Sequence, residues 1–268
     1  MTVTSQNQFA KLSPERFHAL CRALVTQRPL VHCLTNEVVQ EITANVLLAA
    51  GTSPAMVVAP DEVDDFARIA SGLLINLGTP YPDRLEAMKR AVKTANATQT
   101  PWVLDPVAAG VIPWRDERID EFLALKPTVI RGNASEILAI AGMGQGGQGV
   151  DSTDSSFSAL VAAQELARQT PCIVSVTGEK DYVTDGSTTI EIVGGHIMAT
   201  LVVGTGCSLS ALVAGFLAVD ANALEATAAA MMLAKRAEEK AFSRTQAPGS
   251  FRAAYIDALY EITQGTAQ

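Results

Sequence analysis

Residues 128–141 read TVIRGNASEILAIA, a short apolar run that passes directly into a longer amphipathic segment. The run Thr128-Val129-Ile130 has strand length and no polar face, which is typical of a strand buried on both sides of a sheet. Ala134 to Ala141 has the length and composition of a helix. Because a buried strand followed at once by a helix is the repeating unit of α/β proteins, this stretch predicts a parallel sheet covered by helices.

The same alternation continues on both sides of this unit. Further strand-length apolar runs are Met56-Val57-Val58-Ala59, Leu73-Leu74-Ile75, Trp102-Val103-Leu104 and Ile173-Val174-Ser175-Val176. Segments of helix length separate them, at Asp83 to Ala97, Glu117 to Leu125 and Ser156 to Arg168. The expected fold class is therefore α/β, a three-layer α/β/α arrangement with a mostly parallel central sheet.

Both ends of the chain extend this pattern. Ser13-Pro14-Glu15 has the residue types of a helix start, and Thr35 is predicted to cap a second helix that ends at Gly51. Tyr182 to Val193 contains two short strands around Asp185-Gly186, which predicts an antiparallel hairpin at one sheet edge. Beyond it we expect only helices, including the alanine-rich Ser208 to Val219 and Ala223 to Phe242.

Composition limits the classes of function. The chain has 268 residues, 48% of them hydrophobic and 18% charged, which predicts a single globular domain over residues 1–268. A formal net charge of -8 argues against a sequence-independent nucleic-acid binder. No apolar stretch approaches the roughly 20 residues of a membrane-spanning helix. Four cysteines without CxxC spacing, and no secretory signal, predict reduced thiols in the cytoplasm.

Polar side chains follow several of the predicted strands. The carboxyl ends of parallel strands meet at one edge of a sheet, and ligands bind beyond that edge. There, Asp105 and Glu136 are candidate carboxylates for a hydrated Mg2+. Arg131 is a candidate phosphate clamp, and Thr177 offers a hydroxyl beside the permissive Gly178. The structural alternatives are a turn or cap at Asp105, an ion pair between Arg131 and Glu136, and a plain turn at Thr177.

The strongest local signal is the turn Gly204-Thr205-Gly206-Cys207. Two glycines allow a sharp turn whose backbone N–H groups point at an anion where a helix begins, so this turn is a candidate anion hole. A plain strand-to-helix corner is the alternative. Cys207 would lie at the positive end of the helix, where the pKa of a thiol tends to fall, and it is the candidate base. The alternative is an inert buried thiol, which we expect for Cys21, Cys33 and Cys172.

Two further patterns carry no functional prediction. Gly142 to Gly147 fits the dinucleotide pattern GxGxxG but follows a helix rather than a strand, so a loop is expected there. The three histidines show no metal-ligand spacing. Because the chain lacks GxxxxGK[ST] and the protein-kinase motifs, a nucleotide needs another binding architecture.

Taken in order, these residues resemble the ribokinase-like superfamily, and most closely its hydroxyethylthiazole kinase branch. Most members of the superfamily have Asp at the position of Cys207, and cysteine is characteristic of the thiazole kinases. One departure is Ala108, where glycine is more usual. The resemblance spans nearly the whole chain and rests, besides the glycine turn, on His32-Cys33-Leu34-Thr35-Asn36, Ser53-Pro54-Ala55-Met56, Leu104-Asp105-Pro106-Val107, Asn133-Ala134-Ser135-Glu136 and Val176-Thr177-Gly178-Glu179 with Asp181.

The resemblance implies a kinase of the ribokinase-like fold that phosphorylates the primary alcohol of 4-methyl-5-(2-hydroxyethyl)thiazole, a salvage step towards thiamine. ATP would be the phosphoryl donor and Mg2+ the required metal. It also implies a homotrimer with the thiazole pocket at the subunit contacts. By position it assigns thiazole contacts to Asn36, Val38, Met56 and the Gly204 backbone, nucleotide contacts to Arg131 and Thr177, and metal-organising roles to Asp105 and Glu136.

Three other functions stay open at this point. A kinase of another small alcohol, such as hydroxymethylpyrimidine, is the nearest, and Cys207 in place of Asp argues against it. An ATP-dependent hydrate dehydratase shares the fold but ordinarily has Asp at the same position. A nucleotide-responsive protein without catalysis is disfavoured, because candidates for metal binding, phosphate binding and proton transfer are all present.

Overall fold

The structure of the chain, a computed structural model, describes residues 9–143 and 152–267. The described strands are β1 (Leu30–Leu34), β2 (Ser53–Ala55), β3 (Gly72–Asn76), β4 (Trp102–Asp105), β5 (Val129–Asn133), β6 (Ile173–Thr177), β7 (Asp181–Thr184) and β8 (Thr189–Ile192). The described helices are α1 (Pro14–Gln27), α2 (Gln40–Ala50), α3 (Val63–Ile69), α4 (Pro82–Thr98), α5 (Pro113–Leu123), α6 (Ala134–Ile140), α7 (Ser152–Gln169), α8 (Thr205–Leu217), α9 (Ala223–Arg244) and α10 (Pro248–Ala267), with a 3-10 helix at Ile197–Leu201. Most of the loop predicted at Gly142 to Gly147 lies outside the described residues.

The strands form one sheet with the order β2-β1-β3-β4-β5-β6-β7-β8. Every pairing from β2 to β6 is parallel. The pairings of β6 with β7 and of β7 with β8 are antiparallel. This confirms the mostly parallel sheet and the hairpin at its edge.

Alternate residues of the central strands pack into separate hydrophobic cores on the two faces of the sheet. In β3, Leu74 packs in the core that includes α8 and α9, whereas Leu73 and Ile75 pack in the core that includes α4. Val103 and Leu104 of β4 divide in the same way. Both faces are thus covered, which explains the continuous apolar runs and confirms the three layers.

The helix α8 is deeply buried along most of its length. All ten of its residues from Ser208 to Leu217 are buried. The alanines and glycine of this segment allow close approach, so that a Cβ built on Gly72 of β3 would lie 2.5 Å from the carbonyl oxygen of Ala214. The predicted burial of this helix against the sheet is confirmed. Among the described residues, no helix is both long and apolar enough to cross a membrane.

The structure confirms two of the three predicted helix boundaries and contradicts one. The start at Ser13 is confirmed, because its Oγ accepts a hydrogen bond from the Arg16 N–H at 3.1 Å. The cap at Thr35 is wrong: α2 begins five residues later, after Val39, without a side-chain cap. The carbonyl oxygen of Thr35 instead accepts a hydrogen bond from Nη1 of the buried Arg84. Gly51 ends α2 with φ 98°, as expected.

The strand predicted at Met56 to Ala59 is also wrong. The strand of this region is β2, which precedes Met56 and pairs with β1. Met56 to Ala59 have no regular structure and are partly exposed, so they lack the burial on both faces that a central strand has. In contrast, β1 was not among the predicted strands, although it lies between β2 and β3.

Candidate active site

The carboxyl ends of the parallel strands place the predicted polar residues side by side. Asn76, the last residue of β3, pairs in register with Asp105, the last residue of β4. At the ends of β5 and β6, Asn133 pairs in register with Thr177. The helix α8 begins at this same edge, because its residue Ser210 contacts Asp105. The expected convergence of polar side chains at one edge of the sheet is therefore present.

The Gly204 turn begins α8 in a conformation that favours glycine. Gly204 is the N-cap residue with φ 95°, and a Cβ built on it would lie 2.5 Å from Cγ2 of Ile42. Thr205 stabilises the turn by donating its hydroxyl proton to the carbonyl oxygen of Ala199 at 3.0 Å. The N–H groups of the first turn of such a helix have no partners within the helix, so they can bind an anion.

Arg131 lies directly beside this turn. Its Nη1 donates to the carbonyl oxygen of Gly206 at 3.2 Å, and its Nη2 donates to Oγ1 of Thr177 at 2.8 Å. The residue is 7% exposed, and its Nε has no partner in the described residues. No ion pair joins Arg131 to Glu136 among the described residues, so the structural alternative for Arg131 does not hold. A buried guanidinium beside a helix N-terminus is suited to binding phosphate.

Glu136 is held by two backbone amides. It forms a capping box with Asn133, in which its Oε2 accepts the Asn133 N–H at 2.8 Å. Its Oε1 accepts the N–H of Ala108 at 2.9 Å. Ala108 has φ 62°, so it adopts the left-handed conformation that glycine would adopt more easily. The carboxylate of Glu136 thus fixes the loop after β4, and each oxygen retains a lone pair for water or metal.

Asp105 is almost completely buried, with 1% of its surface exposed. Its Oδ2 accepts hydrogen bonds from Nδ2 of Asn76 at 2.8 Å and from Oγ of Ser210 at 2.7 Å. Burial raises the pKa of Asp105 to about 6, while the nearby Arg131 guanidinium opposes the shift. Its side chain bonds across the sheet and to α8, and neither partner lies in a turn or helix start that Asp105 would cap.

Cys207 is half-buried and receives a hydrogen bond from Nδ2 of Asn36 at 3.5 Å. The same Nδ2 donates to Oδ1 of Asn76 at 2.9 Å, which links Cys207 through two amides to Asp105. Burial, with the charge of Asp105, raises the pKa of Cys207 to about 11. The expected fall of this pKa is therefore wrong, because the loss of hydration and the charge of Asp105 outweigh the hydrogen bonds from Asn76 and Asn36 and the charge of Arg131.

The remaining predicted substrate contacts lie before α2, at Asn36 and Val38, and directly after β2, at Met56. Oδ1 of Asn36 accepts the Val38 N–H at 3.1 Å, which holds the Val38 backbone beside a residue of the site. Val38 itself is 68% exposed. Met56 packs partly buried against the same core as Cys207. Its segment is held by His32, whose Nε2 lies 2.7 Å from the carbonyl oxygen of Val57.

Two residues of the site were not among the predicted candidates. Asn76 is fully buried and bonds to both Asn36 and Asp105. A signal for it was present, because it is a polar residue at the end of a buried strand. Ser210 had no such signal, since a serine inside an alanine-rich helix is common.

The two candidate carboxylates fit a metal that keeps most of its own water. No group of three or more His, Cys, Asp or Glu side chains in the described residues forms a protein cage for a metal. A hydrated Mg2+ needs only one or two carboxylates together with nucleotide phosphates. Burial, with a smaller contribution from the charge of Glu136, raises the pKa of Asp105, and a bound cation nearby would favour its ionised form.

Comparison with known proteins decides the family. A sequence model of the Hydroxyethylthiazole kinase family matches residues 21–265. The chain belongs to the hydroxyethylthiazole kinase family. It is 56% identical over 234 residues to a hydroxyethylthiazole kinase from Citrobacter koseri, which covers 87% of this chain and 89% of that relative.

Solved structures agree with this family membership. The structure of a hydroxyethylthiazole kinase from Pyrococcus horikoshii OT3 matches with a TM-score of 0.87 at 36% identity, covering 94% of this chain and 95% of that one. A ribokinase-like superfamily protein from Enterococcus faecalis matches with a TM-score of 0.66 at 16% identity, covering 97% of both chains. The latter likeness concerns the fold alone, and it confirms the expected ribokinase-like architecture.

Membership of the hydroxyethylthiazole kinase family makes the chain a kinase, and therefore a transferase that uses ATP, in general with a divalent metal. Neither the family match nor these relatives favour the other small-alcohol kinase, the hydrate dehydratase or the non-catalytic binding protein.

Proposed function

We propose that the chain transfers the γ-phosphoryl group of ATP to the primary alcohol of 4-methyl-5-(2-hydroxyethyl)thiazole, a salvage step towards thiamine. The contact between Arg131 and the Gly206 carbonyl carries this proposal, because it joins a buried positive charge to the helix start that holds Cys207. Phosphoryl transfer needs little covalent chemistry from the protein. It needs positioning of the reactants and stabilisation of the developing charge, and a site of this kind can supply both.

In this proposal, Arg131 and Thr177 bind the phosphates of ATP. The backbone N–H groups of Gly204, Thr205 and Gly206 stabilise the negative charge that develops on the transferred group. Support comes from Nε of Arg131, which has no partner within residues 9–143 and 152–267, and from the close approach that Gly206 allows, since a Cβ there would lie 3.3 Å from Nη1 of Arg131.

The alcohol would lie on the other side of the turn, where Asn36, Val38, Met56 and the Gly204 backbone contact the thiazole. Cys207 would accept the proton of the attacking hydroxyl. A thiol with a pKa of about 11 is rarely ionised at neutral pH. The base therefore contributes less than the anion hole, as a loose transition state allows.

Asp105 and Glu136 would hold Mg2+, Asp105 through its buried carboxylate and Glu136 through the lone pairs that its backbone contacts leave free. When bound, the metal neutralises phosphate charge and orients the nucleotide. Asn76 and Ser210 keep Oδ2 of Asp105 in place through their hydrogen bonds.

We further propose that residues 1–268 form one domain, that three copies assemble into a homotrimer and that the protein acts in the cytoplasm. One continuous sheet across the described residues supports the single domain. Thiols at Cys33, Cys172 and Cys207 support a reducing compartment. The trimer is supported by exposed apolar side chains next to the site, those of Val38, Ile197, Leu201 and Val203. Sedimentation equilibrium would then give three times the chain mass of 28.2 kDa.

The reaction is tested by incubating the protein with Mg-ATP and a panel of small alcohols, followed by mass spectrometry of the products. We expect a mass increase of one phosphoryl group on the thiazole alcohol and a matching amount of ADP. Without a product from the thiazole alcohol, the proposed function is wrong, and a product from another alcohol in the panel would identify the substrate instead.

The role of Cys207 is tested with Cys207→Ala. We expect slower turnover with ATP binding retained, because the anion hole and Arg131 remain. Cys172→Ala is the matched control, since that cysteine precedes the amino-terminal end of β6, whereas the site lies at the carboxyl ends of the strands. Turnover in Cys207→Ala equal to that of the control would remove Cys207 from the mechanism.

A further inference from the structure

A buried ion pair lies behind the proposed nucleotide contacts and has no role in the mechanism above. Asp181, the first residue of β7, and Lys235 of α9 are joined by a contact of 3.2 Å between Oδ1 and Nζ. Their side chains are only 2% and 12% exposed. Because desolvation of both charges roughly offsets their attraction, such a pair is a weak source of stability. Its contacts with the backbone indicate a different role.

The pair holds the turn between β6 and β7 from both sides. Oδ1 of Asp181 accepts the Gly178 N–H at 3.0 Å. Nζ of Lys235 donates to the carbonyl oxygen of Gly178 at 3.0 Å and to that of Glu179 at 3.5 Å. Both polar backbone atoms of Gly178 are therefore bound, one by each member of the pair.

This turn directly follows Thr177, the proposed phosphate contact. Oγ1 of Thr177 accepts a hydrogen bond from Arg131 and donates to the carbonyl oxygen of Gly132 at 3.3 Å. Since Thr177 and Gly178 share one peptide plane, a shift of Gly178 would reorient Thr177 and loosen its contact with Arg131. The ion pair thus acts on the site through the backbone.

The hydrogen bonds of Lys235 also argue against a direct role at the phosphates. An ammonium group has three N–H donors. Here the acceptors are the two carbonyl oxygens of Gly178 and Glu179 and the carboxylate of Asp181. All three donors have acceptors within the protein, so Lys235 has none left for a nucleotide in this conformation.

We propose that Asp181 and Lys235 are a positioning pair for the nucleotide, which keeps Thr177 and Gly178 in the conformation that receives the phosphates of ATP. The inference rests on the proposed nucleotide contacts of Arg131 and Thr177. It separates ATP affinity, which depends on the pair, from binding of the alcohol, which does not.

The test compares Lys235→Met and Asp181→Asn with wild type. Lys180→Met is the matched control, because Lys180 lies in the same turn but forms an exposed ion pair with Glu191. We expect each variant of the pair to raise the KM and the Kd of ATP about tenfold, with kcat at saturating ATP within about threefold of wild type. The KM of the alcohol and all constants of the control should stay unchanged.

The double variant supplies a second readout. Removing both charges leaves no uncompensated charge buried, and the side-chain amide that replaces the Asp181 carboxylate can still accept the Gly178 N–H through its oxygen. We therefore expect the loss of ATP affinity in the double variant to be smaller than the product of the single losses. If Lys235→Met does not fold, the isosteric Asp181→Asn carries the test.

Two results would overturn the proposal. The first is an unchanged ATP affinity in the single variants alongside a lowered melting temperature, which would make the pair purely structural. The second is a loss confined to Lys235→Met, which would indicate a direct contact between Lys235 and the nucleotide. ATP binding is measured by calorimetry without the alcohol, so the inference is tested even when wild type fails to phosphorylate the thiazole alcohol.

Discussion

Replacing Gly204 with alanine adds a Cβ where the turn of the proposed anion hole packs against α2. Its φ of 95° is left-handed, which costs an alanine about 1–2 kcal/mol. The new Cβ would lie 2.5 Å from Cγ2 of Ile42 and 3.0 Å from Cγ1 of Val39, well inside normal contact distance. Because both neighbours are buried, the turn or α2 must move, which adds about 1–3 kcal/mol.

We therefore expect Gly204→Ala to lower the free energy of unfolding by about 2–5 kcal/mol, measured by urea denaturation. The displaced turn also moves its N–H groups away from Arg131, so kcat should fall by at least about tenfold. Gly265→Ala is the control, because a Cβ there meets nothing within 4 Å. Its stability should stay within about 1 kcal/mol of wild type, with unchanged kcat.

The two measurements refute different parts of the reasoning. An unfolding free energy of Gly204→Ala equal to wild type would show that the packing argument is wrong. A normal kcat in a destabilised variant would show instead that the turn binds no developing charge.

Four further predictions each concern a single residue. With burial raising the pKa of Cys207 to about 11, kcat should rise with pH as the pH approaches that value, by a few-fold rather than in proportion to the thiolate, and Cys207→Ala should flatten this profile in an ADP-release assay. Asn76→Ala removes the donor to Asp105, so kcat should fall about tenfold or more while the Kd of ATP, measured by calorimetry, changes little. Ala108→Gly relieves φ 62° and should stabilise the fold by up to about 1 kcal/mol, measured as a slightly higher melting temperature. Burial raises the pKa of Glu238 from 4.5 to about 7. The stability that the protonated Glu238 contributes is therefore present below pH 4.5 and lost as pH rises through 7. Glu238→Gln should flatten the pH dependence of the unfolding free energy over this range, measured by urea denaturation.

Each of these has an outcome that contradicts it. A bell-shaped profile centred near pH 7, unchanged in Cys207→Ala, would exclude the thiol as base. Equal kcat in Asn76→Ala and in the remote Asn96→Ala would remove Asn76 from the site. A less stable Ala108→Gly would mean that the loop is unstrained, and an unchanged pH dependence in Glu238→Gln would mean that its carboxyl titrates normally.

Much of the fold was predictable because its causes are local. A strand that is covered by helices on both faces of the sheet is buried on both faces and therefore apolar throughout, as at Leu73-Leu74-Ile75. The prediction of a strand at Met56 to Ala59 was wrong, although it rested on the same apolar composition as the correct predictions. An apolar run alone does not show whether it is buried on both faces, and Met56 to Ala59 are partly exposed.

Part of the candidate site could also be predicted from the sequence, and part could not. Residues at the ends of strands, such as Asp105 and Arg131, could be selected from the sequence because strand ends of a parallel sheet always meet at one edge. Ser210 could not, since it reaches Asp105 from a helix 105 residues further along the chain. The contact depends on where α8 crosses the sheet, which no local pattern specifies.

The sequence by itself determined the βα alternation, the glycine turn at the start of α8 and the polar residues at the strand ends, because backbone conformation and burial periodicity are properties of neighbouring residues. Only the tertiary structure decided the ionisation of Cys207, whose pKa rises because burial and Asp105 act on it from other elements. It also decided the pairing of Lys235 with the turn at Gly178, 57 residues earlier. Electrostatic energies depend on distance and hydration in the folded chain, and sequence separation carries neither.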